Sequence, residues 1–132
     1  MALAEPIQKG QLDSPQHASA AEIGRLLATH KGGAVQVAEH FLSHIEEQTS
    51  AVFLNVTQDR ALAEARSSDE RLAAGRPLSP LDGVPLAWKD LIDMAGERTT
   101  VASGLFKETP LAEEDAPAVR RAAQAGMVNL GK

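Results

Sequence analysis

The chain has 132 residues, 43% of them hydrophobic and 23% charged, and its formal net charge at pH 7 is −5. This length fits one domain of roughly 100–200 residues, and the composition excludes a chain that is disordered throughout. The acidic balance and an aromatic content of 3% argue against a nucleic-acid binder. The sequence shows no apolar run of transmembrane length, no signal-peptide pattern and no cysteine. We therefore expect a cytoplasmic protein that has no disulfides or thiolate metal sites and does not contact a membrane.

The N-terminal part is predicted to contain an arm and two helices. Residues 1–18 show no hydrophobic period, which is typical of an untethered terminus. Ser19 and Glu22 have the spacing of a capping box, so the first helix should begin there and end at the Lys-Gly-Gly of residues 31–33. Residues 34–48 carry apolar side chains at helical spacing and form the second predicted helix.

A strand and a third helix are predicted next. Residues 51–56 favour a short strand because apolar residues of high β propensity dominate them. The third helix should follow Thr57, which is a residue type favoured at the N-cap. That helix should end at Gly75, because Pro77 cannot continue it.

The C-terminal part is predicted to form a β-α-β unit. A buried strand over residues 84–88 is followed by a long irregular stretch over 93–113, a length that is usually functional. Asp115 is placed to cap a helix over 116–125, and residues 127–130 form a second strand, parallel to the first. These predictions divide the chain into a flexible arm (1–18), an N-terminal helical region with one short strand (19–80), and a strand–loop–helix–strand core (81–132).

His40 and His44 are spaced i, i+4 on the second helix, as two zinc ligands can be. The residues between them lack the glutamate of a metalloprotease helix, and no third ligand is spaced suggestively. Solvated histidines beside an apolar stripe are the favoured interpretation.

The last seven residues spell G-x-x-x-x-G-K, which is most of a phosphate-binding loop. Such a loop follows a strand and opens a helix. Here Gly126 ends a helix and the middle residues form the strand itself, so the nucleotide interpretation is disfavoured.

Two further features could carry chemistry. The hydroxyl-rich residues 99–104 could cradle a ligand or satisfy their own backbone in turns. Lys89, at the end of the predicted buried strand, has two interpretations. It either reaches solvent and pairs with a carboxylate such as Asp90, or it is buried as a neutral base, since burial favours the neutral amine. Strand alternation alone favours the first interpretation.

Residues 81–96, LDGVPLAWKDLIDMAG, followed by Thr99-Thr100 and Ser103, resemble the N-terminal core motif of the amidase signature family. The usual motif reads roughly P-L-x-G-[IV]-P-[IV]-x-[VI]-K-D-x-[IV]-D-x-x-G-x-x-T-T-x-G-S. Residues 115–132 resemble a second motif of the family, which ends in G-K. The resemblance extends over residues 19–132.

The resemblance implies an α/β fold, a mixed β-sheet sandwiched by α-helices, of which this chain holds the N-terminal part. It implies an amidase that hydrolyses carboxylic amides through a Ser–cis-Ser–Lys triad, with Lys89 as the base and no metal or organic cofactor. Asp90, Thr99, Thr100 and Ser103 are expected in the loop near the site. The family includes general amidases and the A subunits of tRNA-dependent amidotransferases. The expected partner is a small-molecule amide, and self-association through exposed apolar surface, as a homodimer for example, is also expected.

The sequence departs from the family pattern in one decisive respect. Both triad serines belong to a Gly/Ser-rich segment that follows the G-K motif, and no such segment occurs in these 132 residues. Ser103 belongs to the T-T-x-G-S element and is not the nucleophile. Trp88 and Ala102 stand where the motif usually has a β-branched residue and glycine. We therefore expect an N-terminal fragment that is inactive alone, with a truncated, non-catalytic protein as the alternative.

Overall fold

The structure, a computed structural model, describes residues 17–48 and 51–132. Residues 1–16, which make up most of the predicted arm, lie outside the described residues. The elements in chain order are α1 (Ala20–His30), α2 (Ala34–Glu47), α3 (Gln58–Ala73), β1 (Pro85–Leu86), a 3-10 turn (Gly104–Phe106), α4 (Pro117–Gln124) and β2 (Val128–Asn129). The four predicted helices are confirmed within a few residues at each end.

The capping box at the start of α1 forms as predicted. The Ser19 side chain accepts from the Glu22 backbone N–H, and the Glu22 carboxylate accepts from the Ser19 backbone N–H at 2.7 Å. At the other end the C-cap residue is Lys31, which is left-handed with φ 54°. The Gly32 N–H completes the end of the helix by donating to the Leu27 carbonyl at 3.2 Å.

Of the two predicted N-caps, Thr57 is confirmed in position and Asp115 is wrong, and in both cases a long-range partner takes the side chain. Thr57 is the N-cap residue of α3, but its hydroxyl donates to the Asn129 carbonyl at 3.0 Å and makes no hydrogen bond to the helix. Asp115 lies one residue before the N-cap of α4, and its carboxylate binds Arg60. The predicted position of Pro117 in the first turn of α4 is confirmed.

The predicted strand over residues 51–56 is also wrong. The described residues there form turns and a bend, and Val56 makes a single antiparallel bridge to Gly131. The contact is local: the Thr57 N–H donates to the Leu130 carbonyl at 2.9 Å, and the Lys132 N–H donates to the Asn55 carbonyl at 2.9 Å. A short β-favouring run therefore pairs with the end of β2 without becoming a strand.

The predicted β-α-β unit is confirmed, but the prediction that its first strand is buried is wrong, because β1 is only half-buried. β1 and β2 pair in parallel, with Pro85 opposite Val128 and Leu86 opposite Asn129, and α4 lies between them in the chain. Backbone hydrogen bonds extend this ladder beyond the two short strands, from Gly83 to Trp88. Because parallel strands point the same way, the residues that follow β1 and β2 lie at one edge of the sheet.

One apolar core joins the helices to the parallel pair. Gly83 shows how closely they approach: its φ is 85°, and a Cβ there would lie 2.9 Å from both Leu27 and Ala34. The buried members of the core come from α1, α2, α3 and both sides of the sheet ladder: Ile23, Leu27, Ala34, Val37, Ala38, Leu42, Ala61, Ala65, Leu72, Val84, Val128 and Leu130. Helices packed on a parallel sheet make this an α/β arrangement, as predicted.

Candidate active site

Lys89 lies where the chain leaves the parallel ladder. The preceding residue, Trp88, makes the last ladder bond, from its N–H to the Gly131 carbonyl at 2.9 Å. The chain then turns, and the Lys89 carbonyl accepts from the N–H groups of Leu91 (2.7 Å) and Ile92 (3.1 Å). The Lys89 side chain is exposed and has no hydrogen-bond or ion-pair partner among the described residues. The backbone of this lysine is therefore fixed while its amine is available.

Asp90, the next residue, does not pair with Lys89. Its side chain is 8% exposed and turns toward the loop over residues 99–102. The Oδ2 atom accepts from Thr100 Oγ1 at 2.6 Å, from the Thr100 N–H at 3.0 Å and from the Ala102 N–H at 3.3 Å. Burial raises the pKa of the Asp90 carboxyl, but hydrogen bonds from Thr100 and the nearby Lys132 ammonium outweigh it and lower that pKa to about 2. This aspartate is ionised throughout the physiological pH range.

Lys132 supplies the positive charge that neutralises Asp90. Its ammonium is fully buried, with Nζ 3.0 Å from Asp90 Oδ1, 3.0 Å from Thr99 Oγ1 and 3.4 Å from the Ile92 carbonyl. The ammonium donates hydrogen bonds to Thr99 and to the Ile92 carbonyl, while its contact with Asp90 Oδ1 is an ion pair without hydrogen-bond geometry. Lys132 is thus occupied within the protein, which agrees with rejecting the G-x-x-x-x-G-K spelling as a phosphate loop.

The hydroxyl residues of the loop have structural partners. Thr99 Oγ1 donates to Asp93 Oδ1 at 2.6 Å while it accepts from Lys132. Ser103 Oγ accepts from the Leu105 N–H at 3.3 Å and so caps the 3-10 turn. Asp90, Thr99 and Thr100 therefore form one cluster with Lys132, while the Ser103 hydroxyl serves the turn beside it.

A second polar network supports the sheet on the α3 side. The Trp88 indole N–H donates to Asn129 Oδ1 at 2.7 Å, and the buried Asn129 amide donates to the Glu64 carboxylate. Arg60 connects Glu64 (2.8 Å) to Asp115 (2.7 Å), and these ion pairs raise the pKa of the guanidinium and lower that of the Asp115 carboxyl. The tryptophan that departs from the family motif is thus anchored to β2.

A large groove lies away from this cluster. It has a volume of about 890 Å³ and runs between the C-terminal half of α2, the start of α3 and β1, with Phe41, Phe53 and Leu86 among its apolar walls. Lys89 and Asp90 are not among its lining residues. Across residues 17–48 and 51–132, no group of three or more His, Asp or Glu side chains could hold a metal ion, and no helix is long and apolar enough to cross a membrane.

Lys132 is the site residue that sequence reasoning missed. Its signal was present, because a predicted parallel β-α-β unit brings the residues after both strands to one edge of the sheet. The Lys-Asp after β1 and the Gly-Lys after β2 therefore had to lie close together. The roles of Glu64 and Asn129 had no comparable signal, since these residues lie 65 positions apart and no pattern in the chain links them.

Comparisons with known proteins agree with this arrangement. A family model described as Amidase matches residues 36–132. The A subunit of the glutamyl-tRNA(Gln) amidotransferase from Thermobifida fusca is 40% identical over 118 residues, which cover 86% of this chain and 23% of that protein. A peptide amidase bound to the competitive inhibitor chymostatin is 28% identical with a TM-score of 0.78, covering 88% of this chain and 24% of that one. A chain from a vestigial protein complex that reveals the origins of an s-triazine catabolic enzyme is 36% identical, with a TM-score of 0.80. The match covers 86% of this chain and 25% of that one.

The chain belongs to the amidase signature family. Its relatives include enzymes that act on carbon–nitrogen bonds, and the fold it shares with them is the α/β arrangement described above. The chain spans about a quarter of the length of the relatives it matches.

Proposed function

We propose that this chain is the N-terminal portion of an amidase that hydrolyses carboxylic amides through a serine acyl-enzyme, with Lys89 as the base of a Ser–cis-Ser–Lys triad. The observation that carries the proposal is that Lys89, within the motif shared with the family, has a fixed backbone and an amine without a partner in the part of the chain that the structure describes. Its backbone is fixed at the edge of the parallel pair, and its amine has no partner among the described residues. The neighbouring lysine at that edge, Lys132, is committed to Asp90 and is not available as a base.

The proposed chemistry is a proton relay. Lys89 in its neutral form accepts a proton, through a bridging serine, from the serine that attacks the amide carbonyl. An acyl-enzyme forms and ammonia or an amine leaves, after which water releases the acid. Lys89 is exposed in the described chain. Covering by further segments of a longer protein would remove the amine from water and favour the neutral form that a base requires.

Asp90 supports this role by not pairing with Lys89. A carboxylate beside the amine would favour its charged form and weaken it as a base. The Asp90 carboxylate is instead occupied by Thr100 and Lys132. The Lys89 amine and the Asp90 carboxylate are therefore kept apart although the two residues are adjacent in the chain.

A second candidate function is that of the A subunit in a tRNA-dependent amidotransferase. The 40% identity to the Thermobifida fusca protein over 86% of the chain favours it, since the identity to the peptide amidase is lower. In that case ammonia released at the same site is passed to an aminoacyl-tRNA. A truncated protein that acts only through packing or association is the non-enzymatic alternative.

The first experiment reads the coding DNA past Lys132. The proposal predicts a continuing frame that encodes a Gly/Ser-rich segment, and a stop codon directly after Lys132 would favour the non-catalytic alternative. The second experiment measures ammonia release from simple carboxylic amides by the 132-residue chain and by the extended protein. We expect none from the former and turnover from the latter. Release that depends on glutamyl-tRNA and partner subunits would identify the amidotransferase.

A further inference from the structure

We infer that Asp90 and Lys132 are positioning residues that hold Lys89 at the sheet edge, and that they act as a unit. This inference rests on the proposed function in one respect, because it takes Lys89 as the group to be positioned. It goes beyond that function by assigning a role to two charged residues that do not carry out the chemistry.

Asp90 makes the contacts that hold the turn carrying Lys89 against the rest of the fold. Lys89 contacts the sheet through its neighbour Trp88, and its own carbonyl is used within the turn by Leu91 and Ile92. Asp90 then anchors the turn to the loop. Its carbonyl accepts from the Val101 N–H at 3.0 Å, and its carboxylate binds Thr100.

Lys132 ties the same turn to β2. Its ammonium forms an ion pair with Asp90 Oδ1 and donates to the Ile92 carbonyl, so it contacts both a side chain and the backbone of the turn. The Lys132 backbone is itself held, since its carbonyl accepts from the N–H groups of Leu54 (2.8 Å) and Asn55 (3.1 Å). The end of β1 and the end of β2 are therefore joined by one buried ion pair.

Both charges of this pair are withdrawn from water. The side chain of Asp90 is 8% exposed and that of Lys132 is 0% exposed. Removing one partner of a buried ion pair leaves an uncompensated charge, which is strongly unfavourable where water does not reach. Loss of either charge should therefore open the turn locally so that water reaches the other. The amine of Lys89 then loses its fixed place without any change to its own side chain.

The test measures amide hydrogen exchange in the 132-residue chain by NMR. In Lys132→Met we expect the Leu91 and Ile92 amides to exchange faster by about tenfold or more, while buried amides of α2 such as Val37 change little. Asp90→Asn keeps an oxygen acceptor for the loop and removes the charge, and it should open the same two amides. If Lys132→Met does not fold, Asp90→Asn provides the same test.

A control is available at another ion pair whose carboxylate is buried, although the Arg71 side chain in it is 27% exposed. Arg71 binds Asp82 at 2.8 Å, and the Asp82 side chain is 1% exposed. Arg71→Met therefore also leaves a buried carboxylate unpaired, but away from the turn that carries Lys89. In this variant we expect the exchange rates of the Leu91 and Ile92 amides, compared with those of α2 amides, to be the same as in the unmodified protein. Equal opening of these amides in Lys132→Met and Arg71→Met, or no selective opening in Lys132→Met, would overturn the inference.

Activity provides an independent readout in the extended protein. Lys132→Met should lower kcat by about tenfold or more with KM little changed, because positioning of the base affects the chemical step. The double variant Asp90→Asn with Lys132→Met should lose less than the product of the two single losses, since the pair acts as a unit. A rise in KM with kcat unchanged would contradict positioning. Retention of activity in Lys89→Ala would refute the proposed function while leaving the exchange result intact.

Discussion

At the scale of single residues, the loop beside the site holds two strained positions. Val101 and Ala102 have φ values of 56° and 53°, in the left-handed region that side chains with a Cβ disfavour. The strain is maintained because the Ala102 N–H and the Val101 N–H both bond to Asp90. The family motif usually has glycine at position 102, and the conformation gives the physical reason.

Ala102→Gly is therefore expected to stabilise the protein. Glycine adopts a φ of 53° without a steric penalty and keeps the N–H that binds Asp90. After the entropy that glycine adds to the unfolded chain, the net gain should be up to about 1 kcal/mol in the free energy of unfolding, measured by urea denaturation.

Ala73→Gly is the matched control, because Ala73 lies in the last turn of α3 with right-handed geometry. It should destabilise by about 0.5–1 kcal/mol. Equal destabilisation by both substitutions would show that position 102 carries no strain.

At the scale of elements, α2 begins in an unusual way. Its N-cap is Gly33, which has no side chain to cap the helix. Asp69 of α3 replaces it: Oδ1 accepts from the Ala34 N–H at 2.7 Å and Oδ2 from the Val35 N–H at 3.2 Å. One helix therefore caps another, and the contact fixes the packing of α2 against α3.

Asp69→Ala should remove this cap and destabilise the protein by about 0.5–2 kcal/mol, the usual cost of losing an N-cap side chain. Thermal and urea unfolding followed by circular dichroism measure the effect. Glu70→Ala, at the exposed neighbouring residue, should change stability by less than about 0.5 kcal/mol. Comparable losses in the two variants would mean that Asp69 does not cap α2.

The elements also show which structures the sequence could predict. Helical periodicity and the Ser19–Glu22 capping box are local signals, and they placed the helices correctly. Neither Thr57, which is the N-cap of α3, nor Asp115 caps a helix with its side chain, because these side chains bind partners 72 and 55 residues away in the chain. The motif predicts Lys89 as a site residue and the parallel unit brings Lys132 near it, but the pairing of Lys132 with Asp90 appears only in the fold.

At the scale of the whole molecule, no strand among the described residues pairs with β1 on the side opposite β2. Alternate residues of the ladder face β2: Leu86 and Trp88 bond to it, while the Ala87 N–H between them has no partner among the described residues. The apolar groove, of about 890 Å³, includes Ala87 in its lining. An open edge beside apolar surface favours pairing with another chain, so we expect the 132-residue protein to self-associate.

Ala87→Pro should reduce that association. Proline at this position removes only the N–H that points away from β2, so the ladder bonds of Leu86 and Trp88 remain possible. Sedimentation velocity over a range of concentrations should show a shift toward monomer. Trp88→Pro is the control, because it removes the bond to Gly131 and should destabilise the fold. A monodisperse monomer before any substitution would show that the open edge does not drive association.

The role of Lys89 as the base of an amide hydrolase is tested most directly by kcat/KM for ammonia release by the extended protein. Lys89→Ala should lower it by about 10²–10⁴-fold, the contribution typical of a positioned base. Lys107→Ala removes another exposed lysine that has no partner among the described residues, and it should leave kcat/KM nearly unchanged. Activity that survives Lys89→Ala at the level of Lys107→Ala would contradict this role.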